Sequence, residues 1–153
     1  MADFLSVQMT AIAAATIQYP IDIYGKMRIS YFSYVAVGAS TTPNTYDLFK
    51  LPPGRVRVLP PLCRLTHDAW GAARVLDLGN RAYTGEQNAA VAEVDNEYAN
   101  NIDISSAGAA VAWATLLKVD LFSMTGITVF GTVSGGDQAA SDALSGFGVY
   151  VTE

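Results

Sequence analysis

The sequence has one cysteine, Cys63, and one histidine, His67. A single cysteine excludes an intramolecular disulfide and a cysteine-rich metal site, and its place beside an apolar run marks it as a small buried filler. A single histidine excludes His-rich metal sites and any mechanism with two imidazoles. No apolar run reaches the roughly 18 residues a membrane-spanning helix needs. The chain opens Met1-Ala2-Asp3 with no basic stretch before its apolar residues, so no secretory signal is expected, and synthesis in the cytoplasm is. Neither G-x-x-x-x-G-K-[ST] nor G-x-G-x-x-G occurs, and Gly135-Gly136 is too short to cradle a phosphate.

Charge is scarce too. Only 15% of residues are charged, against about a quarter in an ordinary solvated domain, so part of the surface is expected to lie under a partner. The net charge of −5 argues against a nucleic-acid binder, which needs a basic surface. No nucleic acid, membrane, metal or cofactor partner is expected. The charges are also segregated. Lys50, Arg55, Arg57, Arg64, Arg74 and Arg81 face only Asp68 and Asp77 in their stretch, whereas from Glu86 onward the acids face one base, Lys118. This is either scattered surface charge or a pair of complementary faces for contacting further copies.

What is present is apolar: 51% of 153 residues, enough for one domain with a real core. Residues 1–25 form a first region, with Phe4, Leu5, Ile12, Ile17 and Tyr19 among its apolar side chains and only Asp3 and Asp22 charged. It is expected either to pack on its own domain or to lie across a neighbour as an extended arm that pairs with a sheet edge. Residues 26–153 read as a β-sandwich or barrel. Strands are predicted over Met27–Val37, Tyr46–Leu51, Arg55–Leu59, Leu62–Thr66, Arg74–Asn80, Asn100–Ser105, Ile127–Val133 and Gly146–Thr152, from period-two alternation bounded by Gly and Pro. Pro60-Pro61 marks an edge or bulge. Ser106–Leu117 is alanine-rich and allows one short helix.

Catalytic constellations are thin. Cys63 and His67 share a strand face but stand about 13 Å apart at the usual rise, so a nucleophilic pair would need a bend, and a surface histidine is the plainer reading. Glu93, Asp95 and Glu97 alternate as a set of carboxylates expected on one solvated face. Trp70, Trp113 and the tyrosines are candidates for a sugar-binding face. No enzyme is expected.

Four motifs run in order along the chain: Leu51-Pro52-Pro53-Gly54-Arg55-Val56-Arg57-Val58-Leu59 with Cys63-Arg64-Leu65; Asp77-Leu78-Gly79-Asn80-Arg81-Ala82-Tyr83; Ile102-Asp103-Ile104-Ser105-Ser106-Ala107-Gly108; and Gly148-Val149-Tyr150-Val151. They resemble the head decoration, or capsid cement, proteins of tailed bacteriophages, over residues 28–153. The resemblance implies an all-β fold, a jelly-roll-like antiparallel β-sandwich with an extended N-terminal segment and at most one short helix. It further implies a homotrimer on the outer capsid surface of the virion that binds the major capsid protein and bridges capsid subunits. Arg55, Arg57, Arg64, Arg74 and Arg81 become interface candidates, together with Phe4, Leu5, Ile12, Ile17 and Tyr19. The alternative is a carbohydrate- or receptor-binding module of a virion.

Overall fold

Short alternating runs punctuated by Gly and Pro fold into two antiparallel sheets packed face to face. The computed structural model describes residues 26–36, 44–110 and 120–152. The expected arm, with Phe4, Leu5, Ile12, Ile17 and Tyr19, lies outside them, as does Trp113. The first sheet holds β1 (Lys26–Val35), β3 (Gly54–Val58), β4 (Arg64–His67), β9 (Gly108–Ala110), β10 (Asp120–Ser123) and β12 (Ala143–Thr152). Its order is β10-β3-β12-β4-β9, with β1 pairing β12. The second sheet has the order β2-β11-β5-β8, from β2 (Asn44–Leu51), β5 (Val75–Asn80), β8 (Val94–Asp103) and β11 (Ile127–Ser134). A small ribbon pairs β6 (Tyr83–Thr84) with β7 (Ala90–Val91).

β12 is the spine of the first sheet. One side carries β1 over its full length, from Lys26↔Thr152 to Val35↔Ala143. The other side is shared by β4, opposite Leu144 to Phe147, and β3, opposite Tyr150 to Thr152. Between them Pro60 and Pro61 have no N–H to give a ladder, and the chain leaves the sheet in a 3-10 turn, Pro60–Leu62. Cys63 fills the gap. Its Sγ accepts from Val149 N at 3.2 Å and lies 3.4 Å from Leu59 O. Burial pushes the thiol up to about 11, so it is the inert filler its surroundings in the sequence suggested.

The core lies between the sheets. Val56, Leu65, Leu76, Leu78 and Val129 are fully buried, the inward residues of strands whose alternation was plain in sequence. Phe32 of β1 stacks on Phe49 of β2 with centroids 5.8 Å apart, joining the two layers. One end of the sandwich is closed by polar contacts. Asp142 Oδ2 accepts from Ala139 N at 2.8 Å and from Arg74 Nη1 at 3.1 Å, and the Tyr34 and Tyr46 hydroxyls both donate to Gln138 Oε1. Burial, and then the neighbouring Tyr34, push the Tyr46 phenol far up.

Two expectations are corrected. Gly108–Ala110, inside the stretch read as a possible helix, is a strand on β4, with His67↔Gly108 and Leu65↔Ala110; residues 111–117 lie outside the described residues. The outer N–H and C=O groups of β4 need partners, and that demand outweighs the helix preference of a few alanines. β8 begins at Val94, well before Asn100, and its first half bulges. Val94 pairs Asn80 while Ala99 pairs Leu78, so the segment between them is looped against a single residue, Gly79. A Cβ at Gly79 would fall on the Val94 carbonyl oxygen, so the bulge requires glycine there.

Candidate assembly surface

The strand β1 carries apolar side chains on both faces, with Lys26, Arg28 and Ser30 on the inward one and Ser33 on the outward one. Its inward set, Phe32 and Tyr34, packs against the second sheet; its outward set is Met27, Ile29, Tyr31 and Val35. Tyr31 remains 71% exposed and Val35 56%. Register extends this set across β12, since residues paired in an antiparallel ladder share a face. Tyr31 is opposite Phe147, with rings 5.8 Å apart, and Met27 is opposite Val151. The exposed Leu62 sits on the 3-10 turn that packs against β12. Together these side chains form an apolar stripe along β1 and β12.

Polar rows bound the stripe. Ser33, Ser145 and Thr66 lie in register across β1, β12 and β4, where they line a small open groove with His67 and Asp68. Phe147 is followed across the sheet by Arg64. Val151 is followed by Arg57 and then Asp120. Arg57 Nε donates to Asp120 Oδ1 at 2.7 Å. That bond and the guanidinium charge hold the Asp120 carboxyl below the usual range. An apolar centre with a polar, charged rim is the anatomy of a protein–protein contact.

The candidate arginines do not form one patch. Arg55, Arg57 and Arg64 lie on the outer side of the first sheet beside the stripe; Arg64 Nη1 donates to Pro61 O and Cys63 O, each at 2.8 Å, tying the 3-10 turn. Arg74 is turned inward and mostly buried against Asp142. Arg81 lies on the second sheet, where its guanidinium sits 4.1 Å above the Phe130 ring. It is held there by Asp47 at 2.8 Å, Thr45 at 3.0 Å and Glu93 at 3.4 Å. Three basic residues of the middle of the chain thus pair with acids elsewhere in it, Asp120, Asp142 and the Asp47–Glu93 couple. Part of the charge of the two stretches is therefore paired within one copy.

The other sequence candidates scatter. His67 is buried rather than at the surface, its Nδ1 3.1 Å from Asp68 O. β4 runs extended from Arg64 to His67, so no bend brings His67 to Cys63. Trp70 is 1% exposed and its Nε1 donates to Ala143 O at 3.0 Å; it is a core residue and offers no face to a sugar. The carboxylate row is broken by the β8 bulge, with Asp95 exposed, Glu93 on Arg81 and Glu97 buried beside Tyr83 and Tyr98. Glu97 Oε1 has no hydrogen-bond partner, and its charge, after burial itself, raises the Tyr98 phenol. Among the described residues no group of His, Cys, Asp and Glu could hold a metal ion, and no helix is long and apolar enough to cross a membrane.

The stripe itself was missed by sequence reasoning, although a signal existed. Met27, Ile29, Tyr31 and Val35 alternate on one face while Phe32 and Tyr34 stand on the other, and a sandwich buries only one face of a strand.

No protein-family model and no curated protein sequence matches the chain. Solved structures do. A chain of the cyanophage Pam1 capsid asymmetric unit superposes with a TM-score of 0.57 at 18% identity, over 84% of this chain and 85% of that one. A chain from the structure of infectious bursal disease virus, Gt strain, matches at a TM-score of 0.49 and 14% identity, over 82% of this chain and 32% of that one. The near-equal coverages in the phage case mean two chains of near-equal length sharing one architecture. The fold is therefore a jelly-roll-like antiparallel β-sandwich, an architecture it has in common with a chain of a phage capsid over most of its length.

Proposed function

We propose that this chain is a structural virion protein that binds the outer surface of a phage capsid and stabilises it by bridging capsid subunits, as a homotrimer with the major capsid protein as its partner. The observation that carries the reading is the likeness, over 84% of the chain, to a chain of a phage capsid asymmetric unit. The exposed Tyr31 and Val35, flanked by the half-buried Met27, Ile29, Phe147 and Val151, support it, because a free domain has no use for large apolar side chains held in water. Arg55, Arg57 and Arg64 belong to the rim of that contact. Repetition over a lattice makes weak individual contacts sufficient.

The experiment is reconstitution. Purified chain added to undecorated phage shells is expected to cosediment at a copy number fixed by capsid symmetry and to delay shell opening on heating. Binding without saturation at a symmetry-matched number, or no change in shell stability, removes the proposal.

A further inference from the structure

The strand β1 has a free side: among the described residues it pairs β12 alone. Hydrogen bonds show which of its backbone groups face that side. Val149 turns both its groups away from β1, its O to Leu59 N at 2.8 Å and its N to Cys63 Sγ at 3.2 Å. Ala143 O likewise accepts from Asp68 N at 3.0 Å, whereas Ala36 N donates to Asp142 O at 2.8 Å. In an antiparallel ladder the two kinds of pair alternate. Since Ile29 is opposite Val149, the odd residues Met27, Ile29, Tyr31, Ser33 and Val35 present their N–H and C=O groups to the open edge.

Residues 17–23 match that edge in two independent ways. Ile17, Tyr19, Ile21 and Ile23 alternate with Gln18, Pro20 and Asp22. Pro20 has no N–H, so a strand laid by these residues along β1 would have to turn its even residues to solvent and its odd ones to β1. Antiparallel pairing of odd with odd then sets Ile17, Tyr19, Ile21 and Ile23 on the same face as Met27, Ile29, Tyr31 and Val35. The proline and the hydrophobic pattern call for the same phase. Charge agrees as well: residues 1–25 carry only Asp3 and Asp22, β1 carries only Lys26 and Arg28, and Asp22 would share a face with both bases.

The chain's own copy is poorly placed to supply this strand. A three-residue turn with Gly25 at its positive-φ position would close on Asp22↔Lys26, but even residues of β1 already face β12. Closing on Ile23↔Met27 gives the right phase but puts Lys26 in the turn, although Lys26 is in strand opposite Thr152. We infer that residues 17–23 of a second copy add an antiparallel strand to the free edge of β1, so that copies exchange arms head to tail. Such a contact makes a ring where its rotation closes, and residues 1–25 could reach up to about 80 Å if extended. This deepens the oligomer of the proposed function and is separable from shell binding, because it concerns the free chain.

A proline scan tests it. Sedimentation should show the full chain associated and the chain lacking residues 1–24 monomeric. Gln18→Pro keeps association, and Ile17→Pro or Ile23→Pro weakens it by about tenfold or more, since each removes a donor to β1. Amide exchange at Ile29 and Tyr31 should be slow in the full chain and fast in the truncated one. Equal association of Ile17→Pro and Gln18→Pro, an unchanged mass on truncation, or a monomeric full chain with protected Ile29 and Tyr31 amides each overturns the inference. Retention of the truncated monomer on phage shells, measured alongside, would leave the attachment reading standing without the exchange.

Discussion

The outer faces of the two sheets begin with the same problem and end differently. Each carries large apolar side chains that the sandwich core cannot take. On the second sheet Phe130 points away from the core, opposite Asp47 on one neighbour and Gly79 on the other. It is nonetheless 1% exposed, because the Arg81 guanidinium lies over the ring and the backbone of the β8 bulge comes down on Gly79 beside it. On the first sheet nothing comparable covers Tyr31 and Val35 among the described residues. The chain spends a bulge, a glycine and an ion-pair cluster to seal one face and leaves the other open. An apolar face left open among the described residues, beside a sealed one, is a better ground for the proposed contact than the count of exposed residues.

Substitutions should separate the two faces. The largest effect is expected from Phe130→Ala, which removes a fully buried ring and should lower unfolding free energy by about 3 kcal/mol or more in a denaturant titration. If stability hardly changes, the second face is not sealed in solution. Arg81→Met keeps the stem over the ring but drops the cation and its acceptors, so about 1 kcal/mol is expected, read as a lower denaturation midpoint with an unchanged slope. Tyr31→Ser with Val35→Ser should move stability by less than about 1 kcal/mol yet abolish cosedimentation with shells; equal losses in both assays would make the stripe a part of the core. The smallest effect belongs to the rim. The Asp120 carboxyl is held low in the folded chain, so its contribution is present above the ordinary carboxylate range and is lost as pH falls through the lowered value. Asp120→Asn should therefore flatten the acid side of the melting profile slightly, by a fraction of a kcal/mol for so exposed a pair.

Much of the sandwich was legible because its inner strands obey period two. Val56 and Val58, Leu76 and Leu78, and Val129 and Val133 are inward, as their alternation requires. The failures have physical causes. Residues 94–99 look like a solvated acidic run, and only the pairing of Val94 with Asn80 and Ala99 with Leu78 shows that Glu97, Tyr98 and Ala99 are consecutively buried in a bulge. Gly108–Ala110 has helix-forming composition but sits where β4 lacks a partner. The candidate site was less legible. The arginines were named by one residue type, which hid three situations: Arg57 beside the stripe, Arg74 inside, Arg81 as a lid. Ion pairing across the sequence decides among them, and no local pattern records it.

The pairing of β1 with β12 also has a mechanical side. Tension entering through residue 25 acts along the axis of β1, while β12 is anchored on its far side by both β3 and β4. The rungs from Lys26↔Thr152 to Val35↔Ala143 are then loaded together in shear, and they do not peel one at a time. A subunit attached through its first residues would resist a swelling shell with the strength of a whole strand, and would give way abruptly when it failed.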